Sequence, residues 1–532
     1  MKKRILFAMI GILGIISSLI ILSGKKENLA IKKVTTQEAI NFLSLKKNSE
    51  SIPVTNEIHK TFQKNKIDEG DFIQSDEKNL YIVDYHKLYI IEMDTLNLIS
   101  EISFQDFMPT EVLLTSTQIV LLGIKEIELE VDIQIGRTFP YSISECCIYI
   151  LNKETYSIER YLSFDSSYYV TSALYQNALY FVLSCNNIFN PETKKFIYPA
   201  YFDSYYQQQK LSEKELYLAE DGNHVYAIRL IGKLELNATN PLTLRGFLGV
   251  EGLTSIMEDY ILFATSLVQN EEMIAIHALS LNDLSYKGTI QLKGYLMNQH
   301  SLNVYDHYLR VATSYYKNNG QINVLYNISL FDFKVKSKKE IAPLENIYAI
   351  RFEKNLCYLA TYLYIDPLFI FDFSDPAEIK MVKEKKVDFV CSYIQTNEDT
   401  IMALGQRLNE SMMSEGMNFV LMDKNTLSIL DIYEIQEKYI GSELFYNDKA
   451  LSKQKDKLIF PTNSEEGQKI QVFEVNKSIK HMASISCQEE YILRTMIYKE
   501  QIICIGSLFI NSYHLNDYSL LKSFQYKKNM HS

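Results

Sequence analysis

Short apolar runs alternate with polar turns along almost the whole chain. The clearest unit spans 347–376. An apolar run at 347–352 meets a polar turn at 353–355, and a second run follows at 356–362. Asp366 and Pro367 then break the pattern, a third run occupies 368–371, and Asp375 and Pro376 mark another turn. Runs of this length, rich in β-branched and aromatic residues and bounded by Asn, Asp and Pro, predict short strands.

Two half-units recur after residue 70. One is a hairpin, as at 88–99 and 147–158. The other is a looser strand followed by a strongly apolar one, ending for example at 118–122, 178–182, 260–263 and 502–505. The repeat is roughly 40 residues, the spacing of four-stranded blades arranged radially. Eight complete pairs can be traced, with a lone second half at 72–84 and a lone first half at 508–523. Joining those two fragments predicts a composite blade that closes the ring and leaves no open sheet edge. The expected fold is therefore all-β, a large β-propeller of eight or nine blades over 71–532. One insertion interrupts the rhythm at 186–222, and a loop of that length is expected to lie over one face and to cap the central channel.

The N-terminus follows a different pattern. Met1, Lys2, Lys3 and Arg4 precede an uncharged stretch of 20 residues, 5–24. That length spans the hydrocarbon core of a bilayer. The expectation is an uncleaved transmembrane anchor over 1–24 with the body outside the cytoplasm; the alternative is secretion after signal cleavage. Residues 25–70 are polar and read as a stalk with one short helix. Thr35 and Glu38 fit a capping box, and Ala39, Ile40, Phe42 and Leu43 supply an apolar face.

Composition narrows the partners. Hydrophobic residues make up 47% and aromatics 12%, which fits a well-filled core rather than disorder. Net charge is −11 with no long basic stripe, which argues against nucleic acid. Trp is absent, which argues against propeller repeats built on Trp motifs. The seven Cys lack any C-x-x-C spacing and sit mostly in apolar runs, so buried free thiols are expected. Cys146 and Cys147 would point to opposite faces of one strand.

Several residues resemble those of a known family: bacterial and archaeal secreted or membrane-anchored proteins with a C-terminal β-propeller domain. Residues 36–43 look like its N-terminal helix, and 67–72 like its acidic opening motif. Asn298 and Gln299, followed by 308–313, look like its "NQF…RVAT" block. Residues 348–352, 366–369 and 372–376 stand in the family's order, and 491–495 resemble its late "YIRT" strand. His300 stands where the family has Phe, and Asn303-Val304 where it has an acidic pair. The resemblance implies an extracytoplasmic propeller and supplies no activity.

Candidate sites are few. Arg351 and Arg494 are charged residues inside apolar strands; each is either an ion pair between blades or a channel-lining anion contact. Tyr198, Tyr201 and Asp203 in the insertion could contact a sugar or peptide. Asp366, Pro367, Asp375 and Pro376 read as turn-forming residues. His300, Asp306 and His307 lack metal-ligand spacing, and Asp68, Glu69, Asp71 and Asp76 read as solvated charge at a boundary. There is no G-x-S-x-G, H-E-x-x-H, P-loop or dinucleotide fingerprint, so no catalytic residue, metal ligand or cofactor is assigned. The expected role is a membrane-tethered interaction module for a protein or cell-envelope ligand. The alternative is a hydrolase with its site in the channel under 186–222.

Overall fold

The computed structural model describes residues 31–44 and 67–526, apart from 134–136, 221, 223–226, 268–269, 318–319, 363–365 and 488–490. The apolar stretch 5–24 lies outside the described residues. Among the described residues no helix is long and apolar enough to cross a membrane.

Among the described residues nine successive sheets of four or more strands, called I to IX here, follow the expected repeat: 73–103, 107–164, 167–248, 253–293, 302–341, 346–387, 390–435, 452–487 and 492–525. Seven have four strands, while II has six and III seven. The arrangement is a β-propeller. Middle strands are buried on both faces, which is why they read as unbroken apolar runs; Ala178–Cys185 is buried throughout. Fourth strands alternate and face solvent on one side, as in Lys334–Ile341. First strands lie toward the axis, because residues in or just before them meet from sheets far apart in sequence: Arg351 with Asp448, and Arg494 with Asp71.

The composite closing blade does not form. Asn79–Asp84 pairs with Lys87–Glu92, its neighbour in sequence, and Phe509–His514 pairs with Gln501–Gly506. Sheets I and IX are each complete within one stretch of chain. Tight turns make such local ladders cheap in loop entropy, whereas pairing across the whole chain is not. Side chains seal the seam instead. Lys499 Nζ reaches both carboxylate oxygens of Asp94 at 2.7 Å, Gln501 Nε2 donates to Asp94 O at 3.2 Å, and Lys522 Nζ to Asn97 Oδ1 at 2.6 Å. Beneath them Ile73, Leu80, Ile82 and Ile91 pack with Ile503, Ile505, Ile510 and Tyr526.

The insertion is not a cap over the channel. Its strands Ala200–Asp203 and Gln207–Lys210 extend sheet II beyond its fourth strand, at the outer edge. Leu216–Leu218 then adds, in parallel, to the outer edge of sheet III. The apolar residues Tyr201, Leu211 and Leu216 are buried, so the segment is drawn onto the blades rather than left above them.

The expected helix is present at Thr36–Ser44. Its capping box is complete: Thr35 N–H donates to Glu38 Oε2 at 2.8 Å, and Glu38 N–H to Thr35 Oγ1 at 3.3 Å. Ala39, Phe42 and Leu43 are buried in the core shared by sheets II and III, and Lys32–Lys33 pairs with Leu216–Leu218. Residues 31–44 are thus docked on the propeller rather than standing off it.

Candidate functional site

The strongest convergence of charge lies at the inner strands. Residues 67–72 lace along them. Asp68–Glu69 pairs with the first strand of sheet III, Asp71 bridges to Val112 on sheet II, and Ile73 starts sheet I. Space is tight around Gly70 on this path. A Cβ there would lie 2.1 Å from Glu111 Oε2 and 2.8 Å from Ser172 Oγ. That carboxylate oxygen accepts from Ser172 Oγ at 3.0 Å and from the Tyr169 hydroxyl.

Asp71 is buried at the centre of the cluster. Arg494 Nη2 donates to both of its oxygens, at 3.0 and 3.3 Å, and Lys449 Nζ stands 3.1 Å away. Lys449 also donates to Glu69 O at 3.4 Å. The Arg494 guanidinium lies over the Phe72 ring, 5.4 Å from its centroid. Lys449 belongs to the segment joining VII to VIII, which carries two short turns, Glu443–Phe445 and Asp448–Ala450, capped by Ser442 and Asn447. Next to it, Asp448 accepts from Arg351 Nη1 at 3.2 Å. The Tyr491 hydroxyl donates to Glu443 at the same place.

Burial shapes the protonation of this cluster. It pushes the Asp448 carboxyl up to about 6, with Arg351 opposing. It raises Asp68, with Lys449 opposing, and lowers Lys449, with Asp71 opposing. Arg494 is likewise lowered by burial, although a guanidinium keeps its charge. The three cations and three carboxylates of Arg351, Lys449, Arg494, Asp68, Asp71 and Asp448 are matched in number. Lys449 and Arg494 share Asp71, and Arg351 pairs with Asp448; Asp68 accepts from Gln74 Nε2 at 3.4 Å, and Arg494 Nη1 is buried without a hydrogen-bond partner among the described residues.

Arg351 and Arg494 therefore belong to one cluster, each in an ion pair between sheets. Tyr198, Tyr201 and Asp203 lie elsewhere, on the outer edge, and do not join them. Asp203 is held by Arg160 through Nε at 3.1 Å and Nη2 at 2.6 Å, and that guanidinium also donates to Asn240 O. Tyr201 is stacked on Phe164 in the core. The Tyr198 hydroxyl is 2.7 Å from Thr36 Oγ1 and helps to seat the helix. Asp366 and Pro367 open the strand Asp366–Asp372. Pro367 lines a groove of about 580 Å³ between sheets V and VI, with Phe369, Phe371 and Met381. Asp375 accepts from the Ala377 N–H at 2.9 Å, and Pro376 O from Ser337 Oγ at 3.0 Å.

The acidic residues at 68–76, read as solvated, are in large part structural. Asp71 is buried, and Asp76 caps a turn through the N–H groups of Lys78 and Asn79 and pairs with Lys153 at 2.9 Å. Lys449 and Asp448 had no sequence signal, because they lie in a polar connection without periodicity. Strands of the segment 186–222 lie at the outer edges of sheets II and III, so it does not form the channel cover under which a hydrolase site is expected.

Comparison with known proteins accords with this architecture. The sequence profile described as "Beta propeller domain" matches residues 60–518. The chain belongs to the Beta propeller domain family. An uncharacterized protein of Archaeoglobus fulgidus is 30% identical over 171 residues, 31% of this chain and 26% of that protein. One of Methanocaldococcus jannaschii is 29% identical over 126 residues, 23% of this chain and 20% of that protein. The matched stretches thus span about a quarter or less of those relatives. Among solved structures, a computationally designed protein, Ika8, is similar over 87% of this chain and 98% of its own, with 8% identity and a TM-score of 0.40. BamB from Moraxella catarrhalis covers 58% of this chain and 86% of its own, with 8% identity and a TM-score of 0.35. The β-propeller domain of the trilobed protease from Pyrococcus furiosus covers 66% and 96%, with 12% identity and a TM-score of 0.35. Membership of the Beta propeller domain family rests on the sequence match.

Proposed function

We propose that this Beta propeller domain protein is an interaction module, tethered to a membrane by residues 5–24, that binds a protein or cell-envelope ligand outside the cytoplasm. One observation carries the reading. The second and third strands of sheet II, Gln118–Ile133 and Arg137–Asn152, are 16 residues each, whereas the first strand of the same sheet, Phe107–Leu114, has 8. Their pairing continues to Ile133 opposite Arg137, so a two-stranded ribbon runs on past the blade. Along it Ile127, Leu129, Val131 and Ile133 alternate with Glu126, Glu128, Glu130 and Asp132. Ile143, Tyr141 and Phe139 are the cross-strand partners of the first three. A two-stranded ribbon gains little stability by itself, so one of this length is suited to lie against another surface.

The test is crosslinking of the full-length protein in intact cells of its source, followed by purification and mass spectrometry. A second form has 127–143 replaced by a two-residue Asn-Gly turn. The expected result is a reproducible partner outside the cytoplasm that is recovered with the full chain and lost with the shortened ribbon. Recovery of background alone with both forms would defeat the proposal. Fractionation of the same cells tests the tether: the protein should follow the membranes, and deletion of 5–24 should release it.

A further inference from the structure

Seven cysteines are spread over the chain, and the structure treats them differently. Cys146 and Cys147 are adjacent in sequence yet pack in separate cores on opposite faces of one strand. Cys487 and Cys504 are 17 residues apart, and their sulfurs lie 3.8 Å from each other. Cys487 is the last residue of the fourth strand of sheet VIII, Ile479–Cys487, and is half-buried. Cys504 is in the second strand of sheet IX, Gln501–Gly506, and is fully buried. Both stand in the apolar layer between these sheets, with Ile470, Ile485, Ile492 and Tyr513 around them, and the Tyr513 hydroxyl is 3.6 Å from Cys487 Sγ.

We propose that Cys487 and Cys504 form a site of reversible disulfide formation that pins sheet IX to sheet VIII. A disulfide needs its sulfurs at about 2.05 Å and its Cβ atoms about 3.5–4.5 Å apart. The two sulfurs, 3.8 Å apart, have to approach by about 1.8 Å for the bond to form. Cys487, at the end of an outer strand, is the one a reagent can approach; Cys504 is not. The roles follow from that asymmetry. The Cys487 thiolate attacks one sulfur of a small-molecule or protein disulfide, and the first thiol leaves. The Cys504 thiolate then attacks the Cys487 sulfur of the mixed disulfide, and the second thiol leaves. Two thiols lose two protons and two electrons, and the disulfide oxidant takes up both and becomes two thiols. The bond joins the sheet that closes the ring to its neighbour, next to a seam that has no shared strand.

The experiment exposes the folded, full-length protein to an excess of oxidised glutathione. Free thiols are then counted after denaturation, and the chain is mapped by non-reducing peptide mass spectrometry. The expected result is a fall from seven free thiols to five, with one crosslinked peptide pair containing Cys487 and Cys504. That peptide should vanish with a dithiol reductant. Cys487 is only half-buried at the end of its strand, so Cys487→Ser is the milder of the two changes; it should keep all six remaining thiols free under the same treatment. Seven free thiols after oxidation would overturn the proposal. So would a stable glutathione adduct at Cys487 with Cys504 still reduced, or a loss of thiols in Cys487→Ser equal to that of the native chain.

Discussion

Arg494 on the first strand of the last sheet and Asp71 just ahead of the first sheet, 423 positions apart in the chain, are joined by hydrogen bonds of 3.0 and 3.3 Å. Both are buried, so neither charge has water as an alternative partner. Removing one partner of such a pair leaves the other desolvated and uncompensated. Arg494→Met should destabilise the fold by about 3 kcal/mol, the low end for a broken buried pair because Lys449 remains beside Asp71. Urea unfolding measures it, and an unchanged midpoint would mean that the pair is not buried in solution.

Asp448 gives a pH prediction with a definite sign. Its carboxyl rises from 3.8 to about 6 on folding. The folded state therefore holds a proton that the unfolded state has released between those values. This contribution favours folding below about pH 4 and is lost as pH rises through about 6. Asp448→Asn mimics the protonated form, so the wild type should lose stability relative to it across that window, by up to about 3 kcal/mol. Paired thermal unfolding curves from pH 4 to 7 check this; a pH-independent difference would contradict it.

Gly70 is fixed by space. A methyl group there would sit 2.1 Å from a Glu111 oxygen that itself holds Ser172 and Tyr169. Gly70→Ala should cost about 1–3 kcal/mol, the range for overpacking. A double variant with Glu111→Ala should recover part of the steric loss, which denaturant titration of the three proteins would show.

The N-terminal helix is held by two kinds of contact, one apolar and one polar. Phe42→Ala should remove about 3 kcal/mol of packing, and Tyr198→Phe about 1 kcal/mol through the lost hydroxyl contact with Thr36. Hydrogen exchange should speed up over 36–44 in both variants, more in the first, while sheets V to VII keep their native rates. Equal exchange in all three proteins would show that the helix does not depend on these contacts.

The repeat was legible because each middle strand is buried on both faces and so carries its own apolar run. The helix was legible because a capping box is a local device that needs only Thr35 and Glu38. Arg351 and Arg494 stood out as charges inside apolar runs, and each has a carboxylate partner. Those partners, Asp448 and Asp71, could not be read. They are set by how the ring brings distant connections together, and nothing local marks them. The same limit explains the insertion. Its Tyr and Asp residues looked like ligand contacts, but the bidentate hold of Arg160 on Asp203 and the seat of Tyr198 on Thr36 are long-range choices. The ring closure was misread for the opposite reason: a long-range strand pairing was expected where two local hairpins suffice.

That seam has a consequence for how the chain is threaded. Because each of sheets I and IX is finished within its own stretch, a new pair of ends could be opened between most neighbouring sheets without tearing a strand from its ladder. Joining the old ends would ask for a linker that reaches from sheet IX to residues 31–44, which are docked on sheets II and III. The exceptions are residues 31–44 and the lacing segment 67–72, which lie on sheets II and III before the chain enters I, and the strands Ala200–Asp203 and Gln207–Lys210, which extend sheet II from within the stretch of III. The blade at which the chain starts is thus largely interchangeable, while the order around the ring is kept, and a circular permutant cut between sheets V and VI should close into the same ring.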